Sequence, residues 1–179
     1  MFYISKISTV KPQVVQSPLQ QKVYEVLEQL KIPYERVDTD IAISMDDCVL
    51  INKKLNMDMV KTLFLCNKKK TLFYLFIIAG DKKFDTKKFS EKLNVSRVSF
   101  VPEPLFESML ETKIGAATIF STISDWDKTI QIVFDKEVTE EEWYGCSDGT
   151  NTGYMKVKTK DILDTFLPYT KHKYHIIEA

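Results

Sequence analysis

The sequence predicts an α+β fold: a mixed, largely antiparallel sheet with helices packed against it. Three observations predict it. Residues 59–66 and 71–79 are two runs of β-branched and aromatic residues joined by the polar string Asn67-Lys68-Lys69-Lys70, the pattern of a hairpin. Segments with helical periodicity and capping residues stand between the strand-like runs, so helices and strands are interspersed along one chain. Their connections are too irregular in length for the strand–helix alternation of a doubly wound sheet.

Taken in order, residues 1–16 carry little periodicity and form a leader to the domain. Ser17-Pro18-Leu19-Gln20 supplies an N-cap, a proline at the first helical position and a capping-box glutamine. Val23, Val26, Leu27 and Leu30 then share one face of a helix that ends before Pro33. Residues 34–38 form a short strand. Ser44-Met45-Asp46-Asp47 opens a second helix running to about Lys54, with its apolar residues expected against the hairpin. Asp85 or Thr86 caps a helix through Leu93, residues 97–101 are extended, and Pro102 starts another helix through Leu110. Residues 129–134 and 153–157 form two more strands. Thr159 caps the last helix, which turns Ile162, Leu163, Phe166 and Leu167 inward. The domain is therefore expected over 17–168, and residues 169–179 form a frayed or lightly docked tail.

Composition narrows the function classes. A chain of 179 residues, 44% of them hydrophobic, is long enough to bury a core as one domain. Lys+Arg and Asp+Glu both number 25, so bulk positive charge does not hold this protein to nucleic acid, although a local basic face is open to it. Candidates for such a face are Lys53-Lys54, Lys68-Lys69-Lys70, Lys82-Lys83 and Lys87-Lys88, set against an acidic run over 137–142. Cys48, Cys66 and Cys146 are odd in number and lack CxxC spacing, which predicts reduced thiols and a cytoplasmic protein. No stretch has the length and apolarity of a membrane span, and no signal-peptide pattern opens the chain. His172 and His175 are the only histidines, so a histidine base or a His-ligated metal would depend on the tail. The five glycines have neither P-loop nor dinucleotide spacing. No cofactor or metal is expected.

One residue stands out against this background. Lys61 sits where the first hairpin strand begins, so its ammonium lies at the rim of a core and can reach into a cleft. The plain alternative is a lysine that snorkels at a sheet edge.

The order of segments carries more than any single one. Leu30-Lys31-Ile32-Pro33-Tyr34-Glu35-Arg36-Val37, the helix from Ser44, Val60-Lys61-Thr62-Leu63-Phe64-Leu65, Asp85-Thr86-Lys87-Lys88-Phe89, Arg97-Val98-Ser99-Phe100, Gly115-Ala116-Ala117-Thr118-Ile119-Phe120 and Asn151-Thr152 follow one another in that order. This succession resembles the YbaK/prolyl-tRNA synthetase editing-domain family, in particular its free-standing prolyl-tRNA synthetase-associated branch, over roughly residues 17–167.

The resemblance implies a YbaK-like sheet and hydrolysis of a mischarged aminoacyl-tRNA in trans, with alanine on proline tRNA as the typical substrate. It implies neither metal nor covalent intermediate, water attacking with help from the substrate's own ribose hydroxyl. Positioning and oriented donors suffice for an ester that is already activated. Lys61 matches the family lysine that faces the 3′-terminal nucleotide. Gly115 would permit an unusual turn, its amide and those of Ala116 and Ala117 would meet the ester carbonyl, and Thr118, Ile119 and Phe120 would complete the loop. Ile119 replaces the loop's usual proline, and with Met45 it would shape the amino-acid pocket. Ser147-Asp148 replaces a His-Pro dipeptide before Asn151-Thr152: Ser147 would offer one hydrogen bond, Asp148 would put an anion near the ester or a phosphate, and Asn151 is retained. Asp148-Gly149 is equally a common surface-turn pair. Trp143-Tyr144 would stack on the terminal adenine or belong to the core. Two readings follow: a deacylase acting on the acceptor end of aminoacylated tRNA, with prolyl-tRNA synthetase as a possible partner, or a non-catalytic module that binds aminoacyl-tRNA or a synthetase. Oligomeric state is not encoded in these patterns.

Overall fold

In the computed structural model, which describes residues 1–179, the strands divide between two sheets. The hairpin β2 (Val60–Asn67) and β3 (Phe73–Ala79) is antiparallel, as predicted, and lies at the centre of the larger sheet. With β4 (Val98–Phe100), β5 (Ile130–Asp135) and β8 (Tyr174–Ile177) it gives the order β4-β2-β3-β5-β8. The β3–β5 and β5–β8 pairs are parallel, which makes this sheet mixed. The smaller sheet, wholly antiparallel, is β1 (Glu35–Asp38), β7 (Gly153–Lys158) and β6 (Trp143–Ser147), in that order. A parallel bridge between Met59 and Gly145 joins the two sheets.

Strand alternation sorts the hairpin side chains onto two faces. Phe64, Cys66, Phe73, Leu75 and Ile77 meet Tyr144, Cys146, Met155 and Val157 of the small sheet in the main core. Leu65, Tyr74, Phe76 and Ile78 turn the other way, against α3 (Thr86–Leu93). There the Phe89 ring lies 4.8 Å from Phe76 and 5.7 Å from Tyr74, centroid to centroid. Truncating such a buried ring to alanine costs about 3–5 kcal/mol.

The helix starts follow the expected chemistry. The Ser17 hydroxyl caps α1 (Pro18–Gln29) by accepting from the Gln20 amide, and Leu19, Val23, Tyr24, Val26 and Leu27 bury its inner face. Ser44 and Asp47 form a capping box on α2 (Met45–Leu55). This helix does not point its apolar residues at the hairpin. Ile51 and Leu55 pack instead on Val37, Met57 and Tyr154 beside the small sheet. The inner face of the hairpin is already covered by that sheet, whose outer face would otherwise be left bare.

α4 (Glu103–Leu110), a 3₁₀ segment Ile119–Ser124 and α5 (Lys136–Glu140) connect the strands. The closing helix comes in three parts: α6 (Thr159–Asp161), a π-helical stretch Ile162–Phe166, and α7 (Leu167–Thr170). Pro168 has no N–H to continue an α ladder, and the wider turn ahead of it is a common accommodation.

Both chain ends pair with strand edges. Residues 1–10 dock along the free edge of β1, where Ser5 N–H donates to Asp38 O at 2.8 Å and Arg36 N–H to Ser8 O at 2.8 Å. The tail is not frayed: residues 174–177 are β8, and His172 is buried with Nε2 2.8 Å from Asp125 Oδ2. An unpaired edge on each sheet gave these short polar-rich segments a ladder to join.

Candidate active-site cleft

Between α2, the start of β2, the loop before the 3₁₀ segment, and β6 lies an apolar-lined cavity of about 810 Å³. β4 pairs with β2 from Leu65 onward and Val101 N–H still donates to Phe64 O at 3.0 Å, so only residues 60–63 have an uncovered edge, and the cavity wraps round it. Lys61 therefore lines the cavity although alternation sets it on the face away from Thr62 and Phe64. The lysine is half-buried, and its Nζ donates to the Lys82 carbonyl at 2.7 Å. An ammonium has three N–H groups, so two remain for a ligand. The carbonyl is itself anchored: Lys82 Nζ sits 2.8 Å from buried Asp135 Oδ2 and 2.9 Å from Glu137 Oε2. Hydrogen bonds to Asp135 and Glu137 hold the Lys82 ammonium above its ordinary pKa. Gly80 precedes this turn, and there is no room for a Cβ between it and the Met59 carbonyl.

The opposite wall carries Gly115 and Ala117. Gly115 has φ +98°, a conformation that suits glycine, and open space where a Cβ would stand. The Ala116 N–H is spent on Lys113 O at 3.0 Å, whereas the N–H groups of Gly115 and Ala117 donate to nothing within the chain. Two backbone donors are thus available beside the cavity instead of three. The Thr118 hydroxyl donates to Ser147 O at 2.9 Å and stitches this loop to the end of β6.

Ser147 also lines the cavity, but its hydroxyl proton goes to the Thr150 carbonyl at 2.5 Å while Gly149 N–H donates to its oxygen at 3.0 Å. Asp148 is fully buried behind that wall. Its carboxylate accepts from Tyr24 Oη at 2.7 Å, Gln20 Nε2 at 2.9 Å, Thr150 Oγ1 at 2.7 Å and Thr150 N at 3.1 Å. Burial, and then the charge of Asp148, push the Tyr24 phenol far above its ordinary pKa. Neither anion nor turn is offered to the surface.

Of the predicted residues, the structure gathers Met45, Lys61, Gly115, Ala117 and Ser147 at one cavity. It does not bring the others there. Ala116, Thr118, Ile119 and Phe120 are buried, with Ile119 and Phe120 in the main core and Phe120 edge-on to Phe166. Asn151 stands away from the cavity and accepts from Tyr154 Oη through its backbone carbonyl at 3.2 Å. Met45 and its neighbours on α2 therefore shape this cavity, and Ile119 does not line it. No histidine lines the cavity, and no cluster of three or more His, Cys, Asp or Glu side chains is placed to hold a metal ion.

Residues 44–165 match the family model of the aminoacyl-tRNA editing domain. The chain belongs to that YbaK-like family. The matched span runs from the cap of α2 to the closing helix and so contains the whole cavity wall. This editing domain is 27% identical over 143 residues to the prolyl-tRNA editing protein ProX of Acetoanaerobium sticklandii, covering 79% of this chain and 87% of that protein. It is 24% identical over 156 residues to the prolyl-tRNA synthetase associated domain-containing protein 1 of Danio rerio, covering 86% and 84% respectively. A crystal structure of a candidate trans-editing enzyme for prolyl-tRNA synthetase shares its fold, with a TM-score of 0.64 and 15% identity over 92% of this chain and 99% of that one. No helix of the editing domain is long and apolar enough to cross a membrane.

Sequence reasoning missed Cys48, Val49, Asn52, Asp58, Glu137, Glu141 and Tyr154 in the wall. The first three had a signal, since they follow Met45 at three, four and seven residues and share one face of α2. The rest come from other elements. Burial pushes the Cys48 thiol up, and burial with the nearby Cys48 and Asp148 raises the Tyr154 phenol to about 12. Both groups face the cavity neutral at pH 7.

Proposed function

We propose that this editing domain is a trans-acting aminoacyl-tRNA deacylase, and that alanyl-tRNA(Pro) is the first substrate to try. The observation that carries the reading is the meeting, across one apolar cavity, of the Lys61 ammonium with the unspent amides of Gly115 and Ala117. Ester hydrolysis by water needs a stabiliser for charge developing on the carbonyl oxygen and a fixed pose for the acyl group. The free N–H groups supply the first. Lys61 pairs with the 3′-terminal nucleotide or shares the developing charge, held in direction by the Lys82 carbonyl. The aminoacyl side chain rests against Met45, Cys48 and Val49. No side-chain base is invoked: the ribose hydroxyl next to the ester positions the water, consistent with a Ser147 proton already committed to Thr150. Prolyl-tRNA synthetase is the partner that this reading names.

A non-catalytic module that binds aminoacyl-tRNA is favoured by the same committed Ser147 hydroxyl and by the burial of Asp148, which leave this stretch no reacting group. Deacylation of a panel of labelled aminoacyl-tRNAs by the wild type and Lys61→Ala separates the two. Turnover of at least one mischarged species, reduced at least a hundredfold in the variant, is the expected result. Absence of turnover across the panel with tRNA binding intact would leave only the module.

A further inference from the structure

A second cavity, of about 560 Å³, adjoins the first. Val49, Asn52, Asp58, Glu141 and Trp143 line both, so the two are chambers of one cleft with the Trp143 indole at their junction. Trp143 opens β6 and is paired in register with Lys158 of β7. Lys156 Nζ lies 4.5 Å from the indole centroid and Lys158 Nζ 5.8 Å from it, and neither lysine lines either chamber. The ring is thus held by cations on the side of the sheet while the cleft bathes the rest of it. Its neighbour Tyr144 is wholly buried and takes no part.

We infer that Trp143 is a stacking platform for a nucleobase: the side chamber takes the terminal adenine of the acceptor end while the larger chamber takes the aminoacyl group. The inference rests on the deacylase reading for the identity of the ligand. Asp58, Glu141 and Glu142 line the side chamber. Carboxylates there repel phosphate and accept from an exocyclic amine, which favours an amino-bearing base over the backbone. Asn52 lines the same chamber, and its Oδ1 is tied to Met59 N–H at 3.0 Å, which fixes the amide so that Nδ2 is the end left to donate. An amide donor beside carboxylate acceptors matches the ring nitrogens and amino group of adenine. Lys53, at the end of α2, is the one cation on the wall of this side chamber.

Trp126, the other tryptophan, is 80% exposed, so Trp126→Phe leaves Trp143 as the sole indole reporter. In that background an RNA minihelix ending in CCA should quench the fluorescence saturably and bind at least tenfold more tightly than the same minihelix ending in CC. Adenosine monophosphate should quench where ribose 5-phosphate does not. Trp143→Ala should abolish the preference for the terminal adenosine and raise KM for deacylation about tenfold to hundredfold, with kcat within about twofold. Trp143→Phe should restore most of the affinity, which a merely structural loss would not. Equal binding of the two minihelices by the wild type, or an unchanged preference in Trp143→Ala, overturns the inference. The binding arms need no turnover. Adenine-dependent quenching in a protein that hydrolyses nothing would sink the deacylase reading alone, and turnover with an unaltered KM in Trp143→Ala would sink this one alone.

Discussion

Asp148 decides how the end of β6 is to be understood. In the sequence, Asp148-Gly149 is a surface turn or an anion near a substrate; in the fold, its carboxylate has no exposure and four donors. Two of these come from α1, at Gln20 and Tyr24, more than a hundred positions away. No local pattern announces such partners. Truncation would strand a buried phenol and a buried amide, each worth about 1–3 kcal/mol when unsatisfied. Asp148→Ala should therefore lower stability in urea unfolding by about 2–4 kcal/mol, while the fraction that remains folded keeps its turnover. Loss of turnover at full stability would return Asp148 to the substrate site. Lys61 and Gly115 show the opposite case. The start of a strand and a glycine in a loop were both legible locally, because a strand's rim and a positive φ are set by neighbours in sequence. Which amides stayed free was not legible, since it depends on Ala116 turning back to Lys113.

Elements were legible in proportion to their periodicity. α1, α2, α3 and the hairpin begin where caps and β-branched runs place them. β6 was not seen as a strand: Trp143-Tyr144-Gly145-Cys146-Ser147 alternates weakly and follows an acidic run. β8 was missed for a different reason. A terminal segment with two histidines carries no strand signal of its own, and it gains order by pairing with β5 and through the His172–Asp125 contact. Although burial raises the Asp125 carboxyl, the hydrogen bonds from His172, Thr129 and the Ile130 amide outweigh it and bring the pKa down to about 2, against an ordinary 3.8. A carboxyl depressed on folding stabilises the native state above its unfolded pKa and loses that contribution as pH falls through the folded one. Stability contributed by this clasp should be complete above about pH 4 and decline toward pH 2, with about 2 kcal/mol at stake. Asp125→Asn should flatten that limb of a stability–pH curve measured by urea unfolding; an unchanged slope would remove the clasp from the account.

Across the molecule, the balanced charge of 25 acidic and 25 basic residues is distributed in a way that the clusters alone conceal. Lys82 is spent on Asp135 and Glu137. Lys68, Lys69 and Lys70 sit at the far end of the hairpin from Lys61, about 25 Å along an eight-residue strand. Neither Lys82 nor the Lys68-Lys69-Lys70 string therefore joins Lys61 in a basic face, and carboxylates from 137–142 share the cleft mouth. RNA should be gripped at its tip, not along its stem. With about two phosphates engaged, tRNA affinity should fall only about tenfold between about 50 and 200 mM salt; a fall of about a thousandfold would reveal a long electrostatic footprint instead. By itself the sequence determined the α+β class, the hairpin, the helix starts and the family to which the chain belongs, because caps, periodicity and segment order act over short range. Only the tertiary structure decided that the strands form two sheets and that their junction leaves an open strand edge. It alone set Lys61, two free amides and Trp143 around that opening, since packing across long stretches of chain fixes which groups are spent on the fold and which remain for a ligand.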